Sequence, residues 1–250
     1  MSAQTENPRR SPFALGWQAM RANLAPGLIL QTGMLALLAA FYLSPTFAGA
    51  LHQLAEIKRA YGLVFVVAAT ILAAAILPEL FVIVFFQRGR ARRQNFQNLL
   101  FTAPIWGFAG ITVDFLYRGL AALLGDTATV PVVAAKICID QFVYNVFFAA
   151  PYSVLAYHWK NSGFNFGALR RAFTFSFYRD KIIPTLFTNW AVWIPLTAMI
   201  YSLPLALQFP LFSLALTFWV LLLTYMTNRF AAETRRSASR QDEPAIATAS

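Results

Sequence analysis

The chain has 250 residues, of which 58% are hydrophobic and only 12% are charged, and its mean hydropathy is +0.56. An ordinary soluble domain carries roughly 25% charged residues, so this composition excludes that class and predicts an all-α polytopic membrane protein. The formal net charge of +10 is a feature of nucleic-acid-binding proteins, but its distribution along this chain favours membrane topology, and we expect no nucleic-acid partner.

Long apolar stretches predict the membrane-spanning helices. One crossing needs about 20 mainly apolar residues, and six stretches approach or exceed this length, which predicts a transmembrane helical bundle of about six spans. In chain order they are 27–43, 61–86, 99–124, 130–157, 184–203 and 210–226. Only "PLALQF" separates the last two, which can instead form one broken hairpin.

The basic residues predict the topology. Sixteen of the 20 lysines and arginines lie in the two tails and in alternate loops, whereas only Lys58 and Arg59 lie in loops on the opposite side. The positive-inside rule places both termini in the bacterial cytoplasm or, as the alternative, in the mitochondrial matrix. We therefore divide the chain into a cytoplasmic tail at 1–23, a transmembrane domain at 24–228 and a disordered cytoplasmic tail at 229–250.

Ionisable residues also occur inside the predicted spans, where each costs at least about 2.5 to 3.5 kcal/mol. In the stretch "KICIDQFVYN", Lys136 and Asp140 are four residues apart, so on a helix they share a face and can form an ion pair. Gln141 and Asn145 lie beside them. The sequence therefore predicts a polar face on the fourth span.

Two other spans carry similar residues. Asp114 and Arg118 repeat the four-residue spacing, and an antiparallel hairpin places them level with the pair in the fourth span, near mid-bilayer. Gly107 and Gly110 share a stripe with Asp114, which lets a neighbouring helix approach closely. In the second span Glu79 follows a proline that we expect to kink the helix. We predict that all these charged residues form one inward-facing cluster.

Three hypotheses follow for this cluster. It can line a hydrated path for an ion, a proton or a small polar solute, or its members can pair only to fix the helix register. The third hypothesis is an intramembrane enzyme that uses Asp114 and Asp140 as paired acids. Because the sequence contains no catalytic motif, no metal-ligand spacing and no phosphate-binding glycine loop, we expect no enzymatic activity, no metal and no other cofactor.

The stretch "GFNFGALRRAFTFSFYRDKI" mixes aromatic and basic residues between the fourth and fifth spans. One interpretation is a helix that lies in the membrane interface with Phe166, Leu169, Phe173 and Phe177 facing lipid. The other is an ordinary aromatic loop, because Phe173, Phe175 and Phe177 alternate with a period of two. The sequence leaves both open.

Several motifs within 95–226 resemble those of the peroxisomal membrane protein family that includes the Mpv proteins of the mitochondrial inner membrane. "KICIDQ" is similar to the family's K-x-x-x-D-Q at Lys136, Asp140 and Gln141, and Tyr117 fits its H-x-W-Y motif, in which Asp114 stands where the family usually has histidine. Further matches occur in "TNWAVWIP", in "YSLP" and at a distal tryptophan, namely at Asn189, Trp190, Trp193, Pro195, Pro204 and Trp219. The resemblance implies a small helical membrane protein without enzymatic activity that acts as a channel or pore.

The sequence thus predicts a channel or pore for small ions or solutes in the bacterial cytoplasmic membrane, with the mitochondrial inner membrane as the alternative location. Membrane lipids and the permeating ions or solutes are the expected partners, and a homo-oligomer is left open. The alternative function is a non-conducting membrane scaffold or assembly protein.

Overall fold

A computed structural model of the protein describes Trp17, Met20, Arg21 and residues 24–225. This described part is helical and contains no β-strand. In chain order the helices are α1 (Leu24–Leu43), α2 (Pro45–Tyr61), α3 (Leu63–Phe86), α4 (Arg93–Leu124), α5 (Val130–Asn161), α6 (Phe166–Ala172), α7 (Phe175–Tyr201) and α8 (Leu205–Tyr225). Apart from the first three residues named, the predicted tails lie outside the described residues.

Six of these helices are long and apolar enough to cross a membrane, namely α1, α3, α4, α5, α7 and α8. Each overlaps one predicted span, so the prediction of an all-α bundle with about six spans is confirmed, and the chain is an integral membrane protein. The last two predicted spans are separate helices, because residues 202–204 interrupt the helical backbone between them.

Three of the spans contain a π-helical segment that ends two residues before a proline. The segments are Leu72–Ile76 in α3, Asp140–Ala149 in α5 and Tyr178–Ile182 in α7, and the prolines are Pro78, Pro151 and Pro184. A proline has no N–H, and its ring clashes with the carbonyl four residues earlier. At each site the residue before the proline donates its N–H to the carbonyl five residues earlier. The proline before Glu79 therefore follows a widened helical turn.

The chain divides into two compact units. The first comprises 1–50 and 116–208, and the second comprises 51–115 and 209–250. Helices α2, α4 and α8 each contribute residues to both units, whereas α1, α5, α6 and α7 belong to the first and α3 belongs to the second.

In the first unit, α7 packs against α1 and α5. The Gln31 side-chain amide of α1 donates a 3.0 Å hydrogen bond to the Ala191 carbonyl of α7. The two helices approach closely at the next residue, since a Cβ atom on Gly27 would lie 3.2 Å from Val192. This contact fixes the middle of α7, from which the polar side chains of the candidate site extend.

In the second unit, α3 and α4 form a hairpin whose contact is built on small residues. A Cβ atom on Gly110 would lie only 2.5 Å from the Thr70 hydroxyl oxygen, and one on Gly107 would lie 3.4 Å from Val67 and from Ile71. The prediction that this glycine stripe allows close approach of a neighbouring helix is therefore confirmed.

Candidate functional site

Four of the predicted polar residues are buried along α5. Lys136 is 1% exposed and Asp140 is 6% exposed, and Gln141 and Asn145 are buried with them. The π-helical segment Asp140–Ala149 begins at the carboxylate, and its wider turns align residues five apart, so Asp140 and Asn145 lie on the same face. From α-helical spacing, the sequence predicted Asn145 beside the face of Asp140 rather than on it.

The Asp140 carboxylate accepts two hydrogen bonds. The Tyr201 hydroxyl donates to one oxygen at 2.7 Å, and the Gln141 amide donates to the other at 3.2 Å. Tyr201 is the last residue of α7 and is 1% exposed, and its ring packs edge-on against Tyr117 with centroids 5.3 Å apart. Donors from two helices thus compensate the buried charge, and hydrogen bonds to a charged group are roughly twice as strong as neutral ones.

A row of side-chain amides continues from Gln141 towards α7. Asn145 donates its amide N–H to the Gln141 side-chain oxygen at 3.4 Å, and Asn189 of α7 donates to the Asn145 oxygen at the same distance. The Trp190 indole N–H donates to the Gln141 backbone carbonyl at 2.9 Å. Each side-chain amide therefore donates to the next residue in the row, and the last donates to Asp140. We call the side chains of Asp140, Gln141, Asn145, Asn189 and Tyr201 the Asp140 network.

Lys136 does not pair with Asp140 as predicted. Its ammonium group lies 4.0 Å from the carboxylate of Asp126, in the loop between α4 and α5, and 6.0 Å from the centre of the Tyr201 ring. Asp126 also accepts a 3.2 Å hydrogen bond from the Leu205 backbone N–H. The prediction was wrong because Asp140 instead accepts hydrogen bonds from Tyr201 and Gln141, while Lys136 pairs with Asp126 in the loop.

Asp114 has an ion-pair partner from another helix. The Lys58 ammonium of α2 lies 2.7 Å from its carboxylate, and Asp114 is 3% exposed. The same ammonium lies 5.0 Å from the centre of the Phe209 ring, within the range of a cation–π contact. Lys58, predicted to lie in a loop, thus balances a buried carboxylate inside the second unit.

Glu79 lies far from Asp114 along the same hairpin. Its carboxylate accepts a 2.7 Å hydrogen bond from the Asn95 amide, and the Asn95 side-chain oxygen accepts one from the Arg92 N–H at 2.8 Å, at the start of α4. Nineteen residues of α4 separate Asn95 from Asp114, about 28 Å at 1.5 Å per residue. The prediction of one cluster containing both acids is therefore wrong, and Glu79 instead fastens α3 to the beginning of α4.

The residues of the predicted cluster belong to both compact units. Glu79 and Asp114 belong to the second unit, whereas Arg118, Lys136 and Asp140 belong to the first, together with Gln141 and Asn145. Arg118 is exposed, so it does not face inward as predicted. The network that remains is centred on Asp140.

Besides Asp140 and Gln141, one further residue of the family-like motifs, Asn189, belongs to the Asp140 network, and Trp190 donates to the Gln141 backbone carbonyl beside it. Tyr117 supports it by packing against Tyr201. The remaining four lie in α7, in the connection 202–204 or in α8, and are Trp193, Pro195, Pro204 and Trp219.

Sequence reasoning missed Tyr201 and Lys58 as partners of the buried acids. Tyr201 ends an apolar span, where a tyrosine is also typical of the membrane interface, so its position alone does not indicate a carboxylate partner. Lys58 precedes Gly62 and the second span by a few residues, a placement typical of a loop cation. Both partnerships join residues far apart in the chain.

Two further observations bear on the chemistry of α5. Among the described residues, no three His, Cys, Asp or Glu side chains come together to hold a metal ion. Cys138, the single cysteine of the chain, lies between Lys136 and Asp140 in sequence but is exposed, whereas both of those residues are buried. It therefore occupies the opposite, outer face of the helix.

No protein-family model, no curated protein and no solved structure matches this chain.

Proposed function

We propose that this integral membrane protein is a channel or pore for small ions or solutes. The observation that supports the proposal is the Asp140 network, in which a carboxylate, three amides and a phenol are gathered inside membrane-spanning helices. Ionisable residues placed at such cost inside a span commonly mark an ion or solute pathway. Amide and carboxylate oxygens can replace the water around a permeating cation or polar solute.

The π-helical segment that carries the network adds support. Segments of this kind are rare and occur frequently at functional sites, because they align side chains that a regular helix separates. Here the segment starts at Asp140 and also contains Gln141 and Asn145. We propose that these three side chains form the polar lining of the conducting path.

The second candidate function is a non-conducting scaffold or assembly protein. It is favoured by the observation that the members of the network hydrogen-bond to one another. Asn189 donates to Asn145, Asn145 donates to Gln141, and Gln141 and Tyr201 both donate to Asp140. A closed network of this kind can serve only to fix the register of α5 against α7.

We further propose that the chain is a non-enzymatic member of the peroxisomal membrane protein family, on the strength of the motif resemblance. We place it in the bacterial cytoplasmic membrane with both termini in the cytoplasm, or alternatively in the mitochondrial inner membrane. The support is the concentration of basic residues in the tails and alternate loops.

Ion flux through reconstituted liposomes tests the channel. The purified chain should release a trapped ion, and Asp140→Asn, which keeps size and polarity but removes the charge, should change conductance or selectivity. Asp180→Asn is the matched control, because it makes the same change at an exposed residue that pairs with Arg179. Vesicles that stay tight with folded, correctly oriented wild-type protein would favour the scaffold instead.

A further inference from the structure

The connection between α5 and α7 exposes a patch of phenylalanines outside the spans or at their margin. Phe166, Phe173 and Phe175 are 71%, 70% and 76% exposed, and Phe164 is 49% exposed. The patch follows neither sequence interpretation completely. Helix α6 has only seven residues, and Phe177 turns inward against the core formed by Ala150, Ile182 and Leu186. We call residues 164–175 the α6 platform.

Contacts beneath the platform hold it in place. The Trp159 ring of α5 packs against Phe164 and against Phe166, with ring centroids 5.1 Å apart in both cases. On the other side of the platform, Phe177 packs edge-on against His158 at 4.9 Å, and the Tyr178 hydroxyl donates a 2.9 Å hydrogen bond to a backbone carbonyl of α5. The exposed rings therefore project from an anchored backbone.

The platform also carries positive charge. Arg170 and Arg171 are exposed, and among the described residues neither forms an ion pair with a carboxylate. Arg179 differs, because its guanidinium is bound to Asp180 at 2.7 Å. Two adjacent guanidinium groups thus lie among exposed phenylalanine rings, and no carboxylate of the described residues pairs with them.

We propose that the α6 platform binds the headgroups of anionic phospholipids at the membrane surface. Phenylalanine side chains enter the boundary between headgroups and acyl chains, and basic residues beside them are attracted to anionic lipids. The guanidinium group also matches the geometry of a phosphate, to which it can donate two parallel hydrogen bonds. The exposed rings favour a lipid over free phosphate, because a soluble ion would leave them in water.

Lipid binding to the purified full-length chain in neutral detergent tests the proposal. Native mass spectrometry with phosphatidylglycerol, an anionic lipid, gives an apparent dissociation constant, and phosphatidylcholine is the neutral comparison. Wild type should prefer phosphatidylglycerol, and Arg170→Gln/Arg171→Gln should weaken its binding about tenfold or more, because hydrogen bonds to charged groups contribute about 1.5–3 kcal/mol.

The matched control is Arg90→Gln/Arg92→Gln. It removes the same charge from two exposed arginines in the connection between α3 and α4, and should leave most of the phosphatidylglycerol binding intact. Circular dichroism and thermal unfolding establish that each variant is folded. Undiminished binding by the Arg170/Arg171 variant, an equal loss in the control, or equal affinity for phosphatidylcholine would overturn the proposal. Displacement of the lipid by an equal concentration of inorganic phosphate would also overturn it, because it would show that the site binds free phosphate.

Discussion

The Tyr201 hydroxyl donates a 2.7 Å hydrogen bond to the Asp140 carboxylate across a sequence separation of 61 residues. Both residues are buried, at 1% and 6% exposure. The bond joins the end of α7 to the first residue of the π-helical segment in α5, and it is the shorter of the two hydrogen bonds that the aspartate accepts. Together with the hydrogen bonds that Asn189 and Trp190 donate, it joins α7 to α5.

Tyr201→Phe tests that bond. It removes one donor from a buried carboxylate, and hydrogen bonds to charged groups contribute about 1.5–3 kcal/mol, so unfolding in detergent should become easier by about that amount. Tyr178→Phe is the matched control, because the Tyr178 hydroxyl donates to a neutral backbone carbonyl, a contribution of about 0.5–1.5 kcal/mol. In the background of Asp140→Asn, the effect of Tyr201→Phe should shrink. Equal losses for the two tyrosines would show that the carboxylate does not depend on Tyr201.

The Lys58–Asp114 ion pair gives a second test. Lys58→Met removes the ammonium that lies 2.7 Å from a buried carboxylate, and breaking a buried pair costs about 3–5 kcal/mol of unfolding free energy. Adding Asp114→Leu should recover a large part of this loss, since replacing both charges with apolar groups is often neutral. Arg59→Met, one residue away and exposed, should change stability little. Additive losses in the double variant would contradict the pair.

The helix contact at Gly110 predicts a steric effect. In Gly110→Ala the new methyl group would lie 2.5 Å from the Thr70 hydroxyl oxygen and 2.6 Å from its methyl carbon, so α3 and α4 must move apart. Overpacking of this kind costs about 1–3 kcal/mol. Gly119→Ala adds the same methyl group where nothing lies within 4 Å, and should be neutral or stabilising. A stable Gly110→Ala protein would mean that the two helices are not this close in the membrane.

The proposed topology predicts the location of fused reporters. Fusions after Arg93, Lys181 and Ser250 should report the cytoplasm, because basic residues concentrate in those loops and in the tail. Fusions near Lys58 and Asp126 should report the opposite side. Alkaline phosphatase and green fluorescent protein measure the two locations, and a cytoplasmic signal near Asp126 would rule out the six-span topology.

The number and approximate position of the spans were readable from the sequence, because a span must be a long apolar run. The boundaries were less accurate where polar residues continue a helix. α4 begins at Arg93 rather than 99, since Asn95 caps its first turn, and α7 begins at Phe175 rather than 184, through a π-helical turn that carries charged residues.

The candidate site was only partly predictable. Local spacing identified Lys136, Asp140 and two amides as one face of α5, because neighbours on a helix follow from its period. It did not identify Tyr201 or Asp126 as the partners of that face, because those contacts depend on how α7 and the α4–α5 loop pack. Glu79 was wrongly grouped with Asp114, because the sequence alone does not show at which level of the helix hairpin each side chain lies.

The outward position of Cys138 makes α5 accessible to chemical labelling without any engineered residue. It is the only thiol of the chain, it is exposed, and it lies two residues from Lys136 and from Asp140. Because the thiol is exposed while Lys136 and Asp140 are buried, a small maleimide should react with it in the folded protein in detergent. A fluorophore attached there would report on the outer face of the helix whose inner face carries the Asp140 network.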